Sequence, residues 1–460
     1  MKKYQLLTYI FCAVFFTGIF YNTLKTLQSP DRKKELNALN IVLSQSDEIS
    51  HKNKNPLHYK GYKKNTQTGK KILNGVAFLT TDLAPKITGY SGPIKILVGV
   101  DTKGNITRVE MISHSETSSY ILSIDSFLAQ FTSFNINNKF QIGQDVDGIS
   151  RATVTSEAIT RSIEKGLKTV AQKPLNLNAP EFTTEKKPFH LSHILIPVIL
   201  FSLAILGITR KSSRLRWAAL IGGFIYFGII HSTMFSVVQI ANTGLFKFPV
   251  FGEHPLWHMI VGFILISSLI FGMAYCGSLC PFASVQEWLF SFGKRFHKEK
   301  NLLSENIDKN ARYIKHIILL TVVGTSFILG NASAANVEIF ITFFTLNATT
   351  FGWAFLGGNI LGCFFIFRFW CRYFCPAGAF NGLLSQWSLF KIRFPKDCEE
   401  CQKCAKACPM DAIKIKKGRD PAIDYPECIL CNKCIEACPG GELQYKKTEN
   451  RRQITDEKKY

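Results

Sequence analysis

Six stretches of the chain are apolar over close to the ~20 residues that a helical membrane span needs. They cover residues 4–23, 191–208, 217–237, 257–275, 313–330 and 351–370. The first follows Lys2 and Lys3 and ends without a small-x-small cleavage site, so it predicts a retained signal anchor, with a cleaved signal peptide as the alternative. Cys12 inside it reads as a buried thiol. The remaining five predict a helical core over residues 190–390. Between anchor and core the pattern is mixed. Residues 24–71 are basic, Asn-rich and Gln-containing, and read as a connector. From Ile72 the alternation becomes strand-like: residues 75–81 and 93–100 predict strands, Asp101 to Asn105 a turn, and residues 106–112 a hairpin partner. Ser156 is the expected N-cap of a helix over 157–170. Residues 72–187 therefore read as one α+β domain, and residues 395–445 as a further small α+β module before a polar tail, 446–460.

Charge adds orientation. The 460 residues carry a formal net charge of +22. Much of that charge sits in loops beside apolar runs, the placement of a membrane protein rather than of a nucleic-acid binder. No helix-turn-helix or basic DNA-reading segment stands out, so no nucleic-acid partner is expected. Loop 209–216 holds Arg210, Lys211, Arg214 and Arg216, and loop 276–312 holds Lys294, Arg295, Lys298, Lys300, Lys309 and Arg312, whereas 238–256 has only Lys247 and 331–350 no Lys or Arg. The positive-inside rule puts the rich loops, the N-terminus and everything after Arg372 in the cytoplasm, and residues 24–187 outside. The expected location is the bacterial cytoplasmic (inner) membrane.

Thirteen of the 14 cysteines lie between Cys276 and Cys438. Such clustering points to metal ligation rather than to a disulfide scaffold. Cys398, Cys401, Cys404 and Cys408-Pro409 repeat the spacing of Cys428, Cys431, Cys434 and Cys438-Pro439. Two-residue gaps let three thiolates converge on one cubane, and the fourth comes from the other motif. Cys398, Cys401, Cys404 and Cys438 are thus expected to hold one [4Fe–4S] cluster, and Cys428, Cys431, Cys434 and Cys408 a second. Zinc knuckles, the alternative, usually lack the x3-Cys-Pro ending. The segment resembles bacterial two-cluster ferredoxins.

Two further motifs recur, YCGSLCPFASVQEWL (275–289) and WCRYFCPAGAFNGLL (370–384). On one helix Cys276/Cys280 and Cys371/Cys375 would each share a face, with Pro281 and Pro376 bending or ending it. Four such thiolates suffice for a metal or iron–sulfur centre, and free thiols or a docking surface are the other readings. Cys363 reads as packing. His190, His193, His231, His254 and His258 lie near the outer face, where interface anchoring is the reading and haem is not expected.

The stretch from Asp147 to Ser156, DGISRATVTS, resembles the motif of periplasmic FMN-binding domains flavinylated on threonine. The resemblance implies FMN joined to Thr153 through a phosphoester, near Ser150, Arg151, Ala152 and Thr155, and attached by a flavin transferase. A helix start there would favour a phosphate, although Arg151 stands where that motif has Gly. Residues 75–106, followed by His114, Glu116 and Thr117, are similar to the flavin domain of NosR/NirI-type proteins, which implies that those three lie near the isoalloxazine. The Cys-x3-Cys-Pro motifs resemble the membrane part of NosR and of NapH-type polyferredoxins. From residue 72 to 445 the order of parts follows the NosR/NirI family.

That resemblance implies a multidomain integral membrane protein that passes electrons from a cytoplasmic donor, through [4Fe–4S] clusters, to covalent FMN outside. From there they would supply a periplasmic reductase or carrier, such as nitrous oxide reductase or its maturation. A membrane redox sensor controlling respiratory gene expression is the alternative. No acid–base constellation marks a stand-alone enzyme. An electron-transfer protein or oxidoreductase subunit is expected.

Overall fold

The computed structural model describes residues 2–27, 31–65, 69–89, 92–114, 116, 123–149, 152–182, 191–247, 255–296, 303–330, 332, 338–346, 348–395, 398, 401–416, 419–439 and 443–448. Ser150, Arg151, Thr117, His190 and His254 lie outside them.

Helix α1 (Lys2–Leu27) covers the expected anchor, with Cys12 half-buried. The next segment differs from the expected connector. Helix α2 (Asp31–Val42) and strands β1 (Glu48–Ile49), β2 (Asn53–Lys54) and β3 (Leu57–Lys64) join β4 (Lys71–Leu79), the short α3 (Thr80–Leu83), β5 (Ile94–Asp101) and β6 (Ile106–His114). These strands form one antiparallel sheet in the order β1-β3-β4-β5-β6, with β2 paired to β3. Ala38, Leu39, Val42 and Leu43 cover one face, against Ala77, Leu79, Leu97 and Ile112. After α4 (Ile124–Ala129), helix α5 (Thr153–Gln172) covers the other. Its Ile159, Ile163, Leu167 and Val170 recur at helical spacing and meet Phe78, Ile96 and Val98. Gly166 lets helix and sheet approach, since a Cβ there would lie 1.9 Å from the Phe78 ring. Helix α5 starts earlier than expected. Ala152 is its N-cap, and Ser156 lies within the first turns, its hydroxyl accepting the Ile149 N–H at 2.9 Å.

Among the described residues, four helices are long and apolar enough to cross a membrane: Lys3–Leu24, Ser192–Thr209, Ser213–Ile230 and Glu305–Leu329. The other two expected spans are shorter, 16 residues each. The core runs through α6 (Ser192–Thr209) and α7 (Ser213–Gly223), which continues as a π-helix over Phe224–Ile230. It stops seven residues before the expected end at 237. A separate short α8 (Val237–Gly244), capped by Ser236, follows. Then α9 (Pro255–Ile270), α10 (Ala274–Ser278) and α11 (Pro281–Gly293) form one unit. After α12 (Glu305–Ala311) and α13 (Ile314–Leu329), the pattern returns as α14 (Ile339–Thr345), α15 (Thr350–Phe365), α16 (Phe369–Tyr373) and α17 (Pro376–Ser385). Span, short helix, Cys-Pro and second helix thus occur twice.

The C-terminal module pairs β7 (Phe390–Arg393) with β10 (Gln444–Lys447), so it begins and ends a few residues outside 395–445. Between them lie α18 (Lys403–Ala407), the hairpin of β8 (Ile413–Lys416) and β9 (Arg419–Ile423), and α19 (Lys433–Glu436). The module docks on the core through polar contacts. Asn432 Nδ2 donates to Gly207 O at 3.1 Å, Arg312 to Met410 O at 2.9 Å, and Lys315 Nζ to both Glu427 oxygens at 2.8 and 2.9 Å. At Gly277 a Cβ would lie 1.9 Å from Ile429 O, so the two backbones touch.

Helix α1 orders the parts along one axis. Its Tyr4 hydroxyl donates to Glu427 at 3.2 Å. At the far end Asn22 lies beside Gly330, whose carbonyl accepts Lys247 Nζ at 2.6 Å. Lys247 in turn lies near His114 of the sheet domain. The two ends are about 27 Å apart at 1.5 Å per residue.

Candidate functional site

Three groups of chemistry-bearing side chains lie along that axis. In the C-terminal module α18 and α19 each carry a cysteine at the second position, Cys404 and Cys434. Each helix starts from a residue in left-handed backbone conformation, Gln402 and Asn432. Cys408, Cys428, Cys431 and Cys434 line one cavity with Pro409, Ile413, Ile429 and Ile423. These are the four cysteines expected for the second cluster. Burial, then the neighbouring Cys431, Cys408 and Cys404, pushes the Cys434 thiol up to about 12. Burial likewise pushes Cys428 up, with Cys434 next. Such thiols ionise only when a bound cation compensates their charge, so metal binding here would release protons. Cys398 and Cys401 lie near Cys404, and Cys401 is exposed at the module's edge. No group of three His, Cys, Asp or Glu among the described residues has the close spacing of a single-ion site.

The core cysteines come together across the two repeats. Cys276, Cys280, Cys371 and Cys375 line one cavity with Phe235, Phe282, Phe340 and Trp370. The expected i, i+4 pairing on a single helix is corrected. Cys276 lies in α10 and Cys371 in α16, and both short helices end before the second cysteine. Cys280 and Cys375 are extended N-caps of α11 and α17. Pro281 and Pro376 begin those helices rather than ending them, because proline's missing N–H costs nothing at the first helical position. The Gly378 N–H donates to Cys375 Sγ at 3.2 Å.

Two residues that sequence reasoning passed over touch the other pair of sulfurs. Gln286 Nε2 donates to Cys371 Sγ at 3.0 Å and Asn381 Nδ2 to Cys276 Sγ at 3.1 Å. Each stands six residues after a Cys-Pro cysteine, and that equal offset was the available signal. Cys363 is buried and its thiol reaches Gln286 Oε1 at 3.7 Å. Below the cavity Glu287 accepts from Arg368 Nε at 2.9 Å and from Arg216, all three buried.

In the sheet domain Thr153 is exposed at the first position of α5. The N-cap Ala152 has no side-chain oxygen to offer the first-turn N–H groups. A phosphate suits that position. Behind it Glu116 is buried and accepts the Thr155 hydroxyl at 2.9 Å. The Glu116 carbonyl faces His114 Nδ1 at 3.2 Å, and burial pulls the His114 pKa below the usual imidazole value. The structure thus brings His114, Glu116, Thr155 and the start of α5 together. On the core, the His193 and His231 rings lie 5.4 Å apart and His258 packs on Trp257.

Comparison with known proteins assigns these regions. Residues 89–168 match an FMN-binding domain family, 253–299 and 349–395 a 4Fe-4S binding domain family, and 397–443 a 4Fe-4S dicluster domain family. The chain is 30% identical over 216 residues to "Regulatory protein NosR" of Pseudomonas aeruginosa, covering 44% of this chain and 30% of that one. It is 28% identical over 194 residues to "Protein NirI" of Paracoccus denitrificans, covering 39% and 28%. It is 30% identical over 178 residues to "Putative electron transport protein YccM" of Escherichia coli, covering 35% and 49%. The chain therefore spans less than half the length of each of these relatives. The chain thus carries regions that match an FMN-binding domain and 4Fe-4S binding domains, in that order, and over part of its length it is similar to NosR and NirI.

Proposed function

We propose that this chain conducts electrons across the bacterial inner membrane, from a cytoplasmic donor to FMN bound covalently to Thr153 on the periplasmic side. The observation that carries the reading is a shared wall. Met410 and Ile429 line both the Cys408/Cys428/Cys431/Cys434 cavity and the four-cysteine cavity of the core. When bound, iron–sulfur clusters and flavin supply the one-electron carriers that protein side chains lack. The residues do the rest. Exposed Cys401 marks the edge nearest a soluble donor. Met410 and Ile429 keep the path between the cavities short and apolar. Cys276, Cys280, Cys371 and Cys375 would hold a further centre inside the ~30 Å apolar layer, which is too thick for one unaided transfer. Phe235, Phe282 and Phe340 keep water from it.

At the far end Thr153 offers its hydroxyl for a phosphoester, placed by a flavin transferase. The first-turn N–H groups of α5 and the Arg151 charge would stabilise the phosphate. His114, Glu116 and Thr155 would line the ring side. The distribution of positive loops supports a dicluster module inside and a flavin domain outside. A periplasmic reductase or carrier, nitrous oxide reductase or its maturation among the candidates, would receive the electrons.

Replacing Thr153 by Val keeps the shape and removes the hydroxyl. The expected result is complete loss of flavin from the peptide containing residue 153, read by mass spectrometry, with the iron content unchanged. Flavin still attached to that peptide would sink the assignment. One relative is named a regulatory protein, which favours a second reading as a redox sensor. Cluster-deficient variants that lower respiratory gene expression while leaving reductase activity intact would support it.

A further inference from the structure

The two Cys-x3-Cys-Pro repeats exchange amide groups. Helix α11 belongs to the first repeat, yet its Gln286 donates to Cys371 of the second. Helix α17 belongs to the second, yet its Asn381 donates to Cys276 of the first. Both amides are fully buried. The orientation of Gln286 follows from its other partners. Gln286 Oε1 receives the backbone N–H groups of Trp370 at 3.0 Å and Cys371 at 3.4 Å, which only an oxygen can do. Its Nε2 therefore faces the sulfur and also reaches Phe282 O at 3.3 Å. Asn381 Oδ1 accepts the Ser268 hydroxyl, and its Nδ2 faces Cys276. Each site places an N–H donor on a cysteine sulfur.

We propose that Gln286 and Asn381 are a matched pair of positioning residues that raise the reduction potential of one iron–sulfur centre held jointly by the two repeats. This rests on the reading that Cys276, Cys280, Cys371 and Cys375 share a centre. The physical reason is charge. Reduction adds one electron, which would come from a reduced iron–sulfur cluster held by Cys408, Cys428, Cys431 and Cys434, and raises the negative charge on the cysteine sulfurs. An N–H aimed at such a sulfur stabilises the reduced form more than the oxidised one. A low-dielectric surrounding enlarges the difference. No proton moves, because each amide keeps its hydrogen. Since each repeat donates to the other, the amides also tie the two halves of the site in register.

The test is an EPR-monitored redox titration of the full chain, purified anaerobically in detergent, with iron analysis. Gln286→Met and Asn381→Leu keep volume and lose the donor. Each is expected to keep its iron and to shift the core centre roughly tenfold toward the oxidised form, the scale of one charge-assisted hydrogen bond. The ferredoxin-module signals serve as internal reference and stay in place. A core signal that does not move, with iron intact, overturns the proposal. Gln286→Glu guards against misfolding of the Met variant. It keeps the acceptor for the Trp370 N–H but cannot donate to sulfur when ionised, so the shift should grow as the pH rises. Loss of the core iron in all three variants assigns the amides a purely structural role and also overturns it. Absence of any core signal in the parent protein is a separate failure, that of the shared-centre reading itself.

Discussion

The two groups of cysteines differ in what assembles them. In the C-terminal module three of the cavity's cysteines, Cys428, Cys431 and Cys434, sit within a few consecutive residues, and Cys408 joins them from the sister motif. Cys404, Cys408 and Cys434 belong to the same small apolar cluster as Ile413, Ile429 and Leu443. In the core, neighbouring cysteines do not even share a helix, and the site exists only because two helical units face each other. Local loops build the first site. Packing of whole helices builds the second, so damage should spread differently from each.

The largest effect is expected at Cys434→Ser. It removes a proposed cluster ligand that is also packed in the module's interior. About half of the module's iron should go, and with it much of the module's resistance to proteolysis, because metal binding and folding are coupled there. Iron analysis and limited digestion check this. Full iron content would break the ligand assignment. The double substitution Cys276→Ser with Cys375→Ser should leave that module and its iron intact. It should still abolish flavin reduction by a cytoplasmic-side donor. Unchanged flavin reduction would show that the core cysteines are no part of the route.

Legibility in the sequence follows the same division. The eight C-terminal cysteines were readable because their geometry is set within a few residues. The hairpin of β5 and β6 and the strand β4 were readable because their buried positions are apolar. Strand β3 was not, since its two buried positions are His58 and Gly61. Helix α2 was hidden by a narrow apolar stripe, Ala38, Leu39 and Val42, in a segment otherwise rich in Lys and Asn. The six apolar runs were visible, but the break at His231 was not, because residues 231–237 remain partly apolar. Gln286 and Asn381 stood in plain view as polar residues in apolar helices. Which sulfur each would reach depended on the opposite repeat, and nothing local encodes that.

Between the two sites lies the buried pair of Lys315 and Glu427, which ties module to core. Burial raises the Glu427 pKa, but the Lys315 and Arg312 charges overcome it and hold the carboxyl below its usual value. Glu427→Gln leaves Lys315 buried without its counter-charge, a loss of roughly 3–5 kcal/mol. Denaturation followed by fluorescence or proteolysis reads this loss. The sign with pH is fixed by the depressed folded value. The ion pair's contribution is complete above the unfolded carboxylate value and fades as pH falls through the folded one. The gap between parent and variant should therefore close on acidification. A gap that widens in acid would mean that Glu427 docks the module as a neutral group.

The smallest expected effect separates orientation from donation. Ser268 lies on α9 and touches neither cysteine, but its buried hydroxyl donates to Asn381 Oδ1. Ser268→Ala removes one buried hydrogen bond, worth about 0.5–1.5 kcal/mol of stability. Asn381 keeps its N–H but loses the contact that directs it toward Cys276. The core centre should then move toward the oxidised form by less than Asn381→Leu produces, and the ferredoxin-module signals should not move. If Ser268→Ala shifted the centre as far as Asn381→Leu, the hydroxyl rather than the amide would dominate the field at that sulfur. If it shifted the module's signals too, the difference between a site built by loops and a site built by facing helices would fail, because the two would be mechanically one.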